Sequence, residues 1–448
     1  MSGLLCIDVG TSSIKGAVIE KDGGLLRWAK YNLFSSLSES EGLNWNADSW
    51  ITGIKVLISD LGWSEGFDGV IVSGNGPTVV PVDKNGEPLF EVLSWQDGRV
   101  EEIKSTSSFF LPGILWFKKK HPDLYDKTKF FLPCSEYINF YLTGVAAAIV
   151  PDESFIPFLW TEDSIRKSEM NPELFPPFIS VSEKIGKVRS KAGAYLGIDD
   201  SIPVFAGGPD FLLALLGTGT VLPGRTCDRA GTSEGINYCS KEKVIDSGLR
   251  TLPHVVKGLY NVSGLLPSSG RIFEWFREVT GQKGKSYDEI FAEISKARKD
   301  REGRFFYSGF AGKLLEKSEA ALKNGDIRAE LGRAVLEEIG FGVRSIVETL
   351  EDRKCRIDEI TVSGGQAKNS VWNQMKSNIL NKIILVPAIE DAELLGDACA
   401  GLKGMGYYND LREASIDLVR IKKKYFPDTN KYRSYSERYD NYKDSRNR

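Results

Sequence analysis

Short apolar runs separated by glycine-bearing polar turns open the chain, a pattern of strands rather than of one long helix. Residues 4–9 read as a strand, 14–20 as a second after the Gly-Thr-Ser-Ser turn, and 25–34 as a third. Asn46 or Asp48 then caps a helix whose apolar face carries Trp50, Ile54, Leu57, Ile58 and Leu61. Residues 68–73 and 79–82 return to strand, and Asp83-Lys84-Asn85-Gly86 forms a hairpin turn into 88–95. Strands and helices mixed in this way predict an α/β domain with a mixed sheet flanked by helices.

The stretch from about 100 to 200 reads as helix and loop with proline-containing segments. Residues 202–206 form a strand that runs into Gly207-Gly208-Pro209-Asp210, followed by a helix with Phe211, Leu212, Leu215 and Leu216 on its apolar side. A second half begins near 221, where 226–230 and 235–240 flank another Gly-Thr-Ser turn. A long helix follows over about 328–351, with Leu331, Val335, Ile339, Val343, Ile346 and Leu350 recurring every three or four residues. Residues 357–363 are a strand ending in Gly364-Gly365, and 371–380 are helical. The polar, tyrosine-rich tail after Pro427 predicts a helix that frays.

Cys6, Gly10, Thr11 and Ser12 coincide with Cys227, Gly231, Thr232 and Ser233 at a constant offset of 221. Each segment opens a half, as a duplicated architecture requires, and this divides the chain into domains 1–220 and 221–448.

At 448 residues the chain is too long for a single core, and 41% hydrophobic residues exclude disorder. A net charge of −3 gives no basic field for nucleic acid or an anionic membrane. The lysine runs at 118–120 and 422–424 read as solvated helix faces. Six scattered cysteines without a CxxC pair fit buried thiols in a reducing compartment. Only His121 and His254 are present, which disfavours a histidine metal site or a Ser-His-Asp triad. No window approaches the ~20 apolar residues that span a bilayer, and the first residues carry no basic leader. A cytoplasmic location is therefore expected.

A turn with Gly10 and the hydroxyls of Thr11, Ser12 and Ser13 suits phosphate, because close backbone approach and aligned N–H groups cradle an anion. Lys15 adds a cation, and Asp8 offers a carboxylate to a hydrated magnesium ion. Alone, such a turn reads as an ordinary polar hairpin. A second at Gly231-Thr232-Ser233, and a Gly364-Gly365 corner before Asn369 with room for a flat adenosine, make a nucleotide reading coherent. Asp210, after a strand and at the mouth of a helix, is the candidate base for an acceptor hydroxyl, or else a helix cap; the two roles are compatible. Trp45 reads as packing beside the first helix cap or as a stacking platform for a sugar, and Asp152 with Ser154 as a structural turn.

These motifs resemble the FGGY family of carbohydrate kinases, within the actin-like ATPase superfamily. Asp8-Val9-Gly10-Thr11-Ser12-Ser13-Ile14-Lys15 is similar to the family's first phosphate loop. Val82-Asp83, Gly86, Pro88-Leu89 and Trp95-Gln96-Asp97-Gly98-Arg99 resemble its "D…G.PL…W.D.R" block. Leu132-Pro133 and the stretch from Tyr137 to Gly144 resemble its "LP.DYL.Y.LTG" segment. Gly207-Gly208-Pro209-Asp210 matches the segment of the catalytic aspartate, Gly231-Thr232-Ser233 the second phosphate loop, and Ser269-Gly270 with Trp275 a glycine before a "W.R" helix. The run from Ser363 to Asn369 resembles the adenosine loop, and Leu395-Gly396-Asp397-Ala398 the late "LGAA" motif.

The resemblance implies two ribonuclease-H-like domains with mixed sheets flanked by helices, closing a cleft over ATP and a small sugar or polyol. It implies Asp210 as base, with Asp8 and Asp210 holding hydrated Mg²⁺. It assigns Gly10, Thr11, Ser12, Ser13, Lys15, Gly231, Thr232, Gly270, Gly364, Gly365 and Asn369 to the nucleotide. It assigns Asn75, Gly76, Trp95, Asp97 and Asp210 to the substrate. The overall pattern is xylulokinase-like, so the acceptor expected is a ketopentose such as xylulose, or a related polyol or sugar acid. Where xylulokinase-like members carry Met-His and glycerol kinases Arg-Glu, this chain has Gly76-Pro77 after Asn75, leaving sugar hydroxyls to the Asn75 amide and the backbone. Residues 305–315 replace the family's "LPYL.GER.P" loop with few charges. These departures keep open a second reading, a sugar-sensing or regulatory protein on the same fold. A homodimer is compatible with the sequence, which does not fix the oligomeric state.

Overall fold

The computed structural model describes residues 2–33, 46–94, 108–231, 233–267, 269–297 and 325–446. By packing, the chain forms two compact units. The first comprises Met1–Gly217, Pro253–Gly258 and Ala392–Val419, and the second Thr218–Leu252, Leu259–Asp391 and Arg420–Arg448.

In the first unit the strands are β1 (Gly3–Val9), β2 (Ser13–Ile19), β3 (Leu25–Asn32), β4 (Phe67–Gly74), β5 (Val79–Val82), β6 (Phe130–Pro133), β7 (Ala148–Val150), β8 (Phe178–Ser180), β9 (Lys184–Lys187) and β10 (Pro203–Pro209). The second unit adds β11 (Thr226–Ala230), β12 (Glu234–Ser240), β13 (Arg250–Pro253), β14 (Tyr260–Leu266), β15 (Glu359–Ser363), β16 (Ile383–Pro387) and β17 (Ile421–Tyr425). The helices that bear on the site are α1 (Ala47–Leu61), α2 (Cys134–Thr143), α3 (Asp210–Gly217), α4 (Ser269–Val279), α5 (Gly325–Asp352), α6 (Ser370–Leu380), α7 (Ala392–Gly404) and α8 (Thr429–Arg446).

The main sheet of the first unit has the order β3-β2-β1-β4-β10-β9, with β5-β6 and β7-β8 as separate pairs. Strands β1, β4 and β10 run parallel, while β2 and β3 form an antiparallel meander from β1. The second sheet has the order β13-β14-β12-β11-β15-β16-β17. Its inner part repeats the first: β11, β15 and β16 are parallel, and β12 and β14 are the antiparallel meander. The duplication glimpsed in the two Gly-Thr-Ser turns is thus a duplication of sheet topology.

Both faces of β1 are covered, so it reads as an unbroken apolar run instead of an alternating one. Leu5, Ile7 and Val9 join the core with Trp50, Ile54 and Leu57 of α1. Leu4, Cys6 and Asp8 take the other face, where Leu4 meets Gly401 and Cys6 senses Asp397, both on α7. Helix α7 reaches this face by an unusually close crossing with α3. A Cβ at Gly217 would lie 1.9 Å from the Ala392 carbonyl oxygen, and one at Gly396 would lie 1.9 Å from that of Leu213. This contact groups Ala392–Val419 with the first unit.

The tail corrects one expectation. Helix α8 does not fray, because Tyr435, Tyr439 and Tyr442 are buried in the core of the second unit. Tyr439 and Tyr442 pack on Phe341 of α5 at 5.6 and 5.5 Å between ring centroids, and the Tyr439 hydroxyl donates to Glu348 Oε2 at 2.9 Å. The Arg344 guanidinium lies 4.3 Å from the centre of the Tyr439 ring. The turn expected at Asp83–Gly86 forms, with Gly86 N–H donating to the Asp83 carbonyl at 3.0 Å. Its second arm is reduced to isolated bridges at Pro88 and Leu93. All six cysteines are free and buried, as expected.

Replacing Gly396 by Ala forces a methyl group into a rigid carbonyl rather than a flexible side chain, and should destabilise the first unit by about 3 kcal/mol. Thermal melting checks this; a variant melting with the wild type would show that α3 and α7 can separate without loss.

Candidate active site

The register of the first sheet sets a row of side chains across the ends of the parallel strands. Asp8 pairs with Lys15 on β2 and with Ser73 on β4, and Ser73 pairs with Gly208 on β10. Residues opposite each other in register share a face, so the row brings a cation, a carboxylate and a hydroxyl together. The row ends in a bulge between Ala206 and Gly208. Two features require glycine there: a Cβ at Gly207 would sit 2.2 Å from the Val72 carbonyl oxygen, and Gly208 has φ +113°. The bulge re-aims the chain, and Pro209 then delivers Asp210 as the first residue of α3.

Asp8 is 4% exposed, whereas Asp210 is half-buried and open to solvent on one side. Their proximity is registered by a neighbour. The Cys134 thiol is pushed up by burial first, then by the negative charges of Glu136, Asp210 and Asp8. Ser73 Oγ lies 3.4 Å from Asp8 Oδ1 and donates to Asp397 Oδ2 at 2.9 Å. Asp397, on α7, is fully buried, and its Oδ1 has no hydrogen-bond partner among the described residues. Burial, then the charge of Asp8, raises its carboxyl well above the ordinary range; the Ser73 hydrogen bond opposes this, and Glu393 and Asp210 add to it. Asp397 was not among the residues the sequence singled out for chemistry. Its signal is an acid inside the otherwise apolar run Leu394-Leu395-Gly396-Asp397-Ala398-Cys399-Ala400.

Other expected residues fall as follows. In the first turn Gly10, Thr11 and Lys15 are half-buried, Ser12 is exposed and Ser13 is buried; Gly10 N–H closes the turn on the Ser13 carbonyl at 3.0 Å. Gly231 N–H closes the second turn on the Ser233 carbonyl at 2.9 Å, one residue tighter. Gly270 lies in the first turn of α4. Gly364 follows β15, and Gly365 is exposed with open space beside it.

Two amides have internal duties that the sequence did not reveal. Asn75 is buried: its Nδ2 donates to the Val9 carbonyl at 3.0 Å and lies 3.8 Å from Cys134 Sγ, and its Oδ1 accepts from Thr78 Oγ1 at 2.7 Å. It ties the end of β4 to the end of β1; Gly76 beside it is exposed. Asn369 is the N-cap of α6, its Oδ1 accepting from Val371 and Trp372 N–H at 3.0 Å each, and its Nδ2 donating to Asp288 at 3.3 Å. The Asp152 side chain accepts from Ser154 N–H at 2.8 Å, the structural turn expected. Trp95, Asp97 and Thr232, with Trp45 and residues 305–315, lie outside the described residues.

Two α/β units whose inner strands share one order define the class by fold, that of the actin-like ATPases. The family model for the N-terminal domain of the FGGY family of carbohydrate kinases matches residues 4–109 and 103–217, and that for the C-terminal domain matches 229–405. The chain belongs to the FGGY family of carbohydrate kinases, phosphotransferases with an alcohol group as acceptor and ATP as the family's phosphate donor. The xylulose kinase of Lactococcus lactis is 26% identical over 467 residues, spanning 95% of this chain and 92% of that protein. Ligand-bound xylulose kinase from Lactobacillus acidophilus shares the fold with a TM-score of 0.80 at 18% identity, over 100% of this chain and 98% of that one. Gluconate kinase from the same organism shares it with a TM-score of 0.81 at 18% identity, over the same shares.

The raised Asp397 carboxyl gives a stability prediction. Unfolded, the group releases its proton near its ordinary value of 3.8, whereas the folded protein retains it, so stability falls as pH rises above 3.8 toward the folded value. Asp397→Asn, which needs no proton, should melt above the wild type at about pH 8 in chelator, and the gain should vanish near pH 4. A variant that melts lower at pH 8 would show that the carboxylate is ionised.

Proposed function

We propose that this chain transfers the γ-phosphoryl group of ATP directly to a hydroxyl of a small ketose, polyol or sugar acid, with Asp210 as the general base. The observation that carries this reading is the strand-end row of Lys15, Asp8 and Ser73, which leads through the Gly207-Gly208 bulge to a half-buried carboxylate. A carboxylate at the first turn of a helix is kept ionised by the local dipole and can accept the hydroxyl proton as the oxygen attacks. Gly10, Thr11, Ser12, Ser13 and Lys15 would contact phosphate, as would Gly231 and Thr232, with Gly270, Gly364, Gly365 and Asn369 bordering the nucleotide. Asn75, Gly76, Trp95 and Asp97 would border the acceptor, beside Asp210.

Asp8 and Asp210 fit a magnesium ion. Both supply hard oxygen ligands, and Mg²⁺ is commonly held by one or two carboxylates, waters and the substrate's own phosphates rather than by a protein cage. Consistent with that mode, no group of three or more metal-ligating side chains gathers among the described residues. The ion would offset charge developing on the transferred phosphoryl group.

The names of the relatives, xylulose kinase and gluconate kinase, support ketopentoses and sugar acids as the acceptors to try first. The six free, buried thiols support a reducing, cytoplasmic setting, and no described helix is long and apolar enough to cross a membrane.

A panel of pentuloses, polyols, gluconate and glycerol, assayed for ADP release, should reveal turnover with at least one acceptor. Asp210→Asn should then lower kcat by about 10²–10⁴-fold, with ATP binding by calorimetry retained. Turnover near that of the wild type removes Asp210 from its role. Sugar binding without ADP release across the panel instead favours the regulatory reading.

A further inference from the structure

The second unit contains a buried charged triad that no step of the reaction described so far uses. The Lys376 ammonium, on α6, lies between Asp228 of β11 and Glu234 of β12; it is 2.5 Å from Asp228 Oδ2 and also bonds Glu234 Oε1. All three side chains are at most 1% exposed. Asp228 Oδ1 and Glu234 Oε2 have no other hydrogen-bond partner among the described residues than each other's carboxyl group. The Trp372 ring centre lies 5.2 Å from the ammonium.

Position gives the triad its meaning. Ala230 pairs with Glu234 across the hairpin, so Asp228, two residues back, is Glu234's diagonal neighbour on one face of the sheet. One cation is therefore tied to both arms of the hairpin whose tip begins at Gly231. The same lysine sits on the helix that Asn369 caps, directly after the Gly364-Gly365 corner. A buried ion pair is a poor device for stability alone, since apolar replacements are often as stable. It is a good device for fixing geometry and charge.

The charge is unbalanced as drawn, with one ammonium facing two carboxyls. With both acids ionised the buried site would carry a net negative charge beside a turn suited to phosphate. Burial first, then the charge of Asp228, raises the Glu234 carboxyl to about 8 against the pull of Lys376. Burial pulls Lys376 down, but Asp228 and Glu234 outweigh it and hold it cationic. Near neutral pH Glu234 thus retains its proton beside the Lys376 cation. The charged groups facing Glu234 are Asp228 from β11 and Lys376 from α6; its register neighbour on β14 is Leu266.

We propose that Lys376 is a positioning residue for nucleotide binding: held between Asp228 and Glu234, it fixes the hairpin that opens at Gly231 and offsets negative charge in the buried site behind it. This rests on the reading that the second turn contacts phosphate.

The test is calorimetric binding of Mg-ATP to the full chain from about pH 6.5 to 9.5. Wild-type affinity should weaken about tenfold across this range, with a midpoint near 8, as one buried negative charge appears behind the turn proposed to contact phosphate. In Glu234→Gln the ratio of affinities at the two ends should collapse toward one, because no proton can leave. Lys376→Met should weaken Mg-ATP about tenfold at pH 7 and raise the KM for ATP, not that for the sugar. A flat wild-type profile, the same decline in Glu234→Gln, or wild-type affinity in Lys376→Met overturns the proposal while leaving the kinase reading intact. Absence of ATP binding by the wild type at every pH overturns both. Should Lys376→Met fail to fold, the comparison of wild type with Glu234→Gln decides alone.

Discussion

The parallel pairing of β4 between β1 and β10 is the constraint on which the first unit depends. Adjacent strands lie about 4.8 Å apart, so inserting one strand sets the ends of β1 and β10 roughly two spacings apart. That gap holds Ser73, whose hydroxyl faces Asp8 on one side and Asp397 on the other. Both faces of the sheet must be covered for such a parallel core to be stable, by α1 on one side and α7 on the other. The close crossing of α3 and α7 at Gly217 and Gly396 follows from that cover, and it ties the helix opening with Asp210 to the helix carrying Asp397.

The second unit reuses the frame with different chemistry. Arg229 occupies the register position that Asp8 holds in the first, and it pairs with Ser363 as Asp8 pairs with Ser73. The Ser-Gly dipeptide at the end of β4 recurs at the end of β15, in Ser73-Gly74 and Ser363-Gly364. Carboxylates that suit proton transfer and a metal therefore gather in the first unit. The acids of the second sit one position away on the strand, at Asp228, and are neutralised internally by Lys376. One fold, used twice, places its acids differently in the two units by a shift of one residue along a strand, which turns a side chain to the other face.

What the sequence made legible was local. Apolar runs, glycine corners and the two Gly-Thr-Ser turns announced the strands, and the Gly207-Gly208-Pro209-Asp210 segment was recognisable because a bulge and a helix start need those residue types. What was hidden depends on long-range packing. Asp397 lies far from Asp8 in sequence, and only the α3–α7 crossing brings them together. Lys376 reads as one more polar position on an amphipathic helix until β11 and β12 are packed against it. Nothing local shows that Asn75 also bonds Val9 or that Asn369 also caps the first turn of α6. The tail was misjudged from its polarity, although Tyr435, Tyr439 and Tyr442 fall at helical spacing and mark a buried stripe.

The central claim, that the strand-end row presents Asp210 to an acceptor hydroxyl, is tested most directly by a crystal structure with Mg²⁺, a non-hydrolysable ATP analogue and a pentulose bound. With Asp210 as base, one sugar hydroxyl lies within about 2.6–3.2 Å of its carboxylate and in line with the γ-phosphorus. A sugar whose hydroxyls all lie beyond hydrogen-bonding reach of Asp210, with the γ-phosphate turned toward another base, would contradict it.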